Sequence, residues 1–180
     1  AAATRQPAAD DQRMRDAIAK LMSRSKREIP HYYLRSTVDL APATEWLREH
    51  NRTVPVADRM VLAALLLTAT SRAAMDVPEL NAYWQSDRLQ PQPSVHLGVA
   101  VSLRSGGMVT PAIHDAQTLS PTEMMSRLKD LVHRARGGRL KASELTDATL
   151  TVTNLGEQGV EEVLGVIYPP QVALVGFGTV

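Results

Sequence analysis

The segment from Val56 to Met75 constrains this chain most. It reads as one long helix, apolar nearly all round at Val61, Leu62, Leu65, Leu66 and Leu67. Such a helix must be buried, so the rest of the chain has to build a core around it. Its longest apolar run, Val61 to Ala69, is about half of the ~20 residues a bilayer span needs, and Thr68, Ser71 and Arg72 interrupt or end it. The 180 residues suffice for one domain of ordinary size.

The material to cover that helix is legible on both sides of it. Asp10 to Glu28 reads as a helix with Met14, Ile18, Leu21, Met22 and Ser25 at helical spacing, ended by Ile29-Pro30. His31 to Leu40 carries β-branched and aromatic residues and predicts a strand. Pro42 to Arg52 predicts a short helix with Pro in its first turn. Leu80 to Leu89 reads as a weak strand or loop. Val95 to Leu103 predicts a strand, Ser105-Gly106-Gly107 a turn, and Met108 to His114 the second strand of a hairpin. Thr110-Pro111 interrupts that second strand, which implies a bulge or a sheet edge. Ser120-Pro121-Thr122-Glu123 is a capping box with Pro at the first helical position. Met124, Met125, Leu128, Leu131 and Val132 mark one face of the helix it opens, and Gly137-Gly138 closes it. Thr149 to Thr153 and Val172 to Val180 predict two more strands. The order lacks the regular alternation of a doubly wound sheet, so the fold class is α/β with helices covering one mixed β-sheet.

Charge and composition exclude several functions. Twenty basic residues against nineteen acidic give a net charge of +1, too little to steer the chain onto nucleic acid or an anionic membrane. There is no cysteine, hence no disulfide framework, thiolate metal site or Cys nucleophile. None of His31, His50, His96, His114 and His133 pairs at the spacing of a zinc site, so no metal is expected. There is no G-x-S-x-G elbow and no Walker loop, and Gly176-x-Gly178 opens no helix. Asn51-Arg52-Thr53 matches a glycosylation sequon, taken as a chance match. Arg127 to Lys141 holds six basic residues against Asp130 alone. That stretch reads first as a solvated helix face and second as a local anion patch for a phosphate-bearing ligand. The absence of aromatics there argues against single-stranded nucleic acid.

Several segments, taken in order, resemble one family. Ile29-Pro30-His31-Tyr32 with Val38-Asp39 is similar to its entry strand, and Val56 to Leu67 to its buried helix. Pro78-Glu79-Leu80-Asn81-Ala82, Val95 to Val101 with Gly107 to Pro111, Thr149 to Gly156, and Ile167 to Gln171 resemble its further motifs. These are motifs of the catalytic core of the dihydrolipoamide acyltransferases of 2-oxo-acid dehydrogenase complexes. The resemblance runs from about Arg13 to Val180. It implies a chloramphenicol acetyltransferase-like two-layer sandwich over residues 10–180, preceded by an Ala/Pro linker remnant at residues 1–9.

The resemblance also implies the chemistry. The family moves an acyl group between dihydrolipoamide and coenzyme A, the latter as substrate, with the lipoyl group carried on a separate domain. A His in an H-x-x-x-D-G motif acts as general base, and a Ser or Thr hydroxyl stabilises the oxyanion. Thr153 matches that hydroxyl. Asn154 and Gly156 are expected to shape the same turn, and Gly107, Met108, Thr110 and Pro111 to lie near the ligand channel. Arg24 matches an arginine that some relatives set against the motif Asp, and His31 a structural His; both are support residues. The expected partners are two further copies in a homotrimer, a 24-mer or larger cage, the decarboxylase and dihydrolipoamide dehydrogenase components, and a lipoyl domain. The expected compartment is the bacterial cytoplasm or the mitochondrial matrix. Overall likeness leans toward a branched-chain acyl group. No His here is followed by D-G at the family spacing, so the 180 residues lack the base, are expected to be inactive alone, and read as a core without its C-terminal segment. The alternative is a non-catalytic trimeric scaffold of the same fold.

Overall fold

A computed structural model describes residues 9–103 and 106–180. The linker reading therefore falls almost wholly outside the described residues, as does Ser105 of the predicted turn. The chain opens with α1 (Ala9–Glu28) and α2 (Ala41–Thr53), followed by α3 (Leu62–Asp76). A hairpin of β1 (Ala82–Gln85) and β2 (Arg88–Pro91) comes next, then β3 (Leu97–Val99), β4 (Val101–Ser102), β5 (Met108–Val109) and β6 (Ala112–Ile113). The long helix α4 (Pro121–Arg136), the short α5 (Ala142–Thr146), β7 (Leu150–Asn154) and β8 (Leu174–Phe177) complete it.

The main sheet has the order β6-β3-β7-β8. β3 runs antiparallel to β6 and parallel to β7, and β7 runs parallel to β8, so the sheet is mixed, as read from the sequence. Leu97, Ile113, Leu150 and Val152 join Ala64, Leu67, Met124 and Leu131 from α3 and α4 in one buried core. The capping box of α4 is present with both reciprocal bonds: the Glu123 amide donates to Ser120 Oγ, and the Ser120 amide donates to Glu123 Oε2 at 2.8 Å.

Several expectations need correction. The long helix begins only at Leu62, because Val56–Asp58 is a separate 3-10 turn and residues 59–61 are extended. The Asn51 amide causes the break, since it donates to the Met60 carbonyl and accepts the Met60 amide at 2.8 and 2.9 Å. Nor is the helix buried all round: Leu62 and Leu65 are half-buried. Residues 31–40 form no strand, because no neighbouring strand offers them a ladder among the described residues. Val95 to Leu103 is two strands rather than one. After Ala100 donates to Val152, β4 leaves the sheet and pairs with β5 instead. Leu80 to Leu89, read as a weak strand or loop, holds both: β1, the start of β2, and between them a turn where Ser86 and Asp87 take positive φ. The break at Thr110-Pro111 falls between β5 and β6, where the sequence puts it.

Candidate functional site

β7 carries the chemistry because it sits inside the sheet with a parallel neighbour on each side. Alternation along it sends Leu150 and Val152 into the helix-covered core. Thr149, Thr151 and Thr153 fall on the opposite face. The first two hydroxyls are engaged: Thr149 donates to Asn81 Oδ1 at 2.6 Å, and Thr151 donates to Gln171 Oε1 at 2.7 Å. Both pairs are buried. Gly98 keeps room for this layer, since a Cβ there would lie 3.1 Å from Thr151 Oγ1 and 3.0 Å from Ala148 Cβ.

Thr153 is different. It is half-buried, and no group among the described residues hydrogen-bonds its hydroxyl. The chain then turns sharply: Asn154 Oδ1 accepts the Gly156 amide at 3.0 Å, and the Leu155 amide donates to Phe177 at 3.1 Å. Gly156 has to be glycine here, because a Cβ would overlap the Gly178 carbonyl. The turn is thereby pressed against the end of β8, with Thr153 opposite Gly176.

The predicted ligand segment lies at the same end of the sheet. Pro111 accepts the Val99 amide at 3.0 Å, and Val99 stands opposite Val152, the neighbour of Thr153. Thr110 is half-buried beside it. Gly107, at φ 82°, and Met108 lie further out in the β4–β5 hairpin, both exposed. Arg24 and His31 stand elsewhere. Arg24 bonds Glu28 at 2.8 Å and lines a groove of about 1100 Å³ with Ile29, Trp84, Pro170 and Gln171; Thr153 is not among its lining residues. The His31 ring is held at both nitrogens. Nδ1 faces the Ile29 carbonyl at 2.9 Å and Nε2 accepts the Ile167 amide at 3.0 Å.

The other four histidines are also occupied. His50 stacks on Trp46, His96 accepts the Asp115 amide, His114 meets Asp147 at 3.1 Å, and His133 meets Arg139 at 2.9 Å. Thr146 and His114 hold the Asp147 carboxyl below the usual carboxylate range. Burial pushes the Tyr168 phenol up. Among the described residues no cluster of three or more His, Asp or Glu could hold a metal, and no helix is long and apolar enough to cross a membrane.

Sequence reasoning singled out Gln171 only as part of a motif and passed over Thr151. A signal was available: Thr149, Thr151 and Thr153 alternate along a predicted strand, and polar residues on one face of a central strand need partners.

The sequence model of the family described as 2-oxoacid dehydrogenases acyltransferase (catalytic domain) matches residues 5–180. A mitochondrial dihydrolipoyllysine-residue acetyltransferase component of the pyruvate dehydrogenase complex from Schizosaccharomyces pombe is 32% identical over 166 residues. That match covers 92% of this chain but 34% of the relative, so the chain spans about a third of it. A probable dihydrolipoamide acetyltransferase of Listeria monocytogenes superposes with a TM-score of 0.83 at 26% identity, over 92% of this chain and 71% of that one. A truncated catalytic core of the 2-oxoacid dehydrogenase multienzyme complex from Thermoplasma acidophilum gives 0.84 at 25%, over 92% and 77%.

Proposed function

The chain belongs to the acyltransferase catalytic-domain family of the 2-oxo-acid dehydrogenases, and we propose that it transfers an acyl group between dihydrolipoamide and coenzyme A. The observation that carries this reading is the Thr153 hydroxyl. It is the one member of the threonine face of β7 without a protein partner among the described residues, and it sits immediately before a turn braced by Asn154 and Gly156.

In the proposed reaction a thiol attacks a thioester carbonyl. A free thiol has a pKa of about 8.5, so a base must take its proton at neutral pH. The carbonyl oxygen becomes an oxyanion, which the Thr153 O–H stabilises by donating to it. Collapse expels the other thiolate, which takes up the proton. The half-buried setting of Thr153 gives this hydrogen bond more weight than it has in water. Asn154 and Gly156 hold the turn, while Thr110 and Pro111 border the thiol path, with Gly107 and Met108 at its outer edge. Arg24 and His31 support the segments they bond.

Our reading of the acyl group is acetyl. The S. pombe relative and the Listeria structure both carry acetyltransferase names, and these names weigh against the branched-chain group toward which overall sequence likeness leans. A homotrimer within a larger cage, served by lipoyl domains and by the decarboxylase and dihydrolipoamide dehydrogenase components, is the assembly this activity implies.

The test is acetyl transfer from acetyl coenzyme A to dihydrolipoamide, with these residues in a chain that also carries an H-x-x-x-D-G segment. Thr153→Ala should lower turnover by roughly one to three orders of magnitude, the scale of one oxyanion donor, and Thr153→Ser should restore most of it. Unchanged turnover in Thr153→Ala removes the residue from the mechanism. One observation favours a second reading: all five histidines are engaged in local contacts and none bonds Thr153. If no transfer occurs even with the base segment present, the chain is a scaffold.

A further inference from the structure

The basic stretch after Arg127 is not used by the proposed reaction, and the structure sorts its charges. Arg134 takes up the acids: its Nε donates to Asp130 at 2.8 Å, and its two terminal nitrogens grip Glu144 at 2.6 Å each. Both carboxylates are thus turned toward Arg134. Lys129, His133 and Arg136 lie along an exposed stripe of α4 at helical spacing. Gly137 and Gly138 then reverse the chain, with Gly138 at φ 65°, and the Arg139 amide closes on the Arg134 carbonyl at 2.9 Å.

That reversal brings Arg139 back over the helix, where its guanidinium meets His133 Nε2 at 2.9 Å. A guanidinium only donates, so His133 Nε2 accepts this bond. Lys129 donates to the Ala57 and Arg59 carbonyls at 2.6 and 3.2 Å, neutral partners that fix its position and leave its charge in place. Lys129, Arg136 and Arg139 form no ion pair among the described residues. Together with Val132, His133 and Gly137 they line a cleft of about 360 Å³ with no carboxylate in its wall.

We propose that this cleft is a binding site for a phosphate group. Three cationic side chains line one concave surface, and two of them are guanidinium forks, the geometry that matches tetrahedral oxyanions. The side chains must supply the attraction, since the C-terminal end of a helix dipole disfavours anions. Arg139 leaves His133 to reach the ligand. The site lies on α4, the helix that packs against the opposite face of the sheet from Thr153, and it stands whether or not the acyl-transfer reading holds.

The test is an NMR titration of the protein with inorganic phosphate, and separately with pyrophosphate and adenosine 3′,5′-bisphosphate, against sodium chloride at matched ionic strength. Saturable shifts of the Gly137, Gly138 and Arg139 amides are expected with the phosphates and not with chloride. A preference for the bisphosphate over pyrophosphate assigns the site to a nucleotide, and the reverse order to a bare phosphate; either supports the proposal. The exposed double variant Arg136→Gln with Arg139→Gln should fold normally and bind at least about tenfold more weakly, the scale of one charged hydrogen bond lost. No saturable shift with any phosphate, the same shifts with chloride, or unweakened binding by the double variant would each overturn it.

Discussion

Thr153 and Thr151 are two residues apart on one strand, yet the structure gives their hydroxyls opposite circumstances. The Thr151 hydroxyl is buried and bonded to Gln171, so Thr151→Val leaves a buried amide oxygen unpaired. It should cost about 1–3 kcal/mol in urea denaturation. Thr153 has no such partner, and Thr153→Ala should shift stability by no more than about 0.5 kcal/mol while turnover falls. A large stability loss in Thr153→Ala would show that the residue braces the strand. Gly156→Ala forces a methyl onto the Gly178 carbonyl and should destabilise by about 1–3 kcal/mol, the range for overpacked sites. The candidate hydroxyl was legible because it sits in a motif. The Thr151–Gln171 bond was not, because its two ends lie 20 residues apart and no local pattern joins them.

At the scale of elements, α4 shows what local chemistry can specify. Its start was readable because the capping box satisfies orphan amides with side chains three residues away. Ser120→Ala should cost about 1 kcal/mol, measured as a drop in melting temperature. Its far end is tied to α5, which was not legible as a five-residue helix. There Glu144, gripped by Arg134 and accepting the Lys141 amide, has its carboxyl held below the usual range. A depressed folded-state pKa contributes stability above the unfolded value, and that contribution is lost as pH falls through the folded one. Wild type should therefore exceed Glu144→Gln at neutral pH, and the gap should close as pH falls below about 4. A gap that stays constant down the acid limb would mean the pair adds no linked stability. The break before α3 had no comparable local signal. It depends on the Asn51 amide reaching nine residues forward to Met60, and apolar periodicity does not report a side chain that competes for backbone.

For the whole molecule, the mixed character of the sheet followed from the order of elements, but the strand order β6-β3-β7-β8 did not. The β3–β7 pairing joins residues on either side of α4 and α5, and only tertiary packing selects it. The segment 31–40 shows the same limit from the other side: its composition favours a strand, and the described residues of the single chain offer it no neighbour. Three of its apolar side chains face solvent. Tyr32 is 80% exposed, Leu34 87% and Val38 69%. Large apolar side chains this exposed and this close in sequence are the kind of surface that a contact with another chain would cover. If the trimer we propose forms, this arm is the surface that it should cover. Sedimentation equilibrium should then give about three times the 19.6 kDa chain mass, or a higher assembly. Leu34→Asp with Val38→Asp should shift the distribution toward monomer without unfolding the chain, because neither side chain enters the core. A wild-type protein that sediments as a 19.6 kDa monomer at micromolar concentration would refute the trimer for these 180 residues. A double variant that assembles as well as wild type would place the contact elsewhere on the surface.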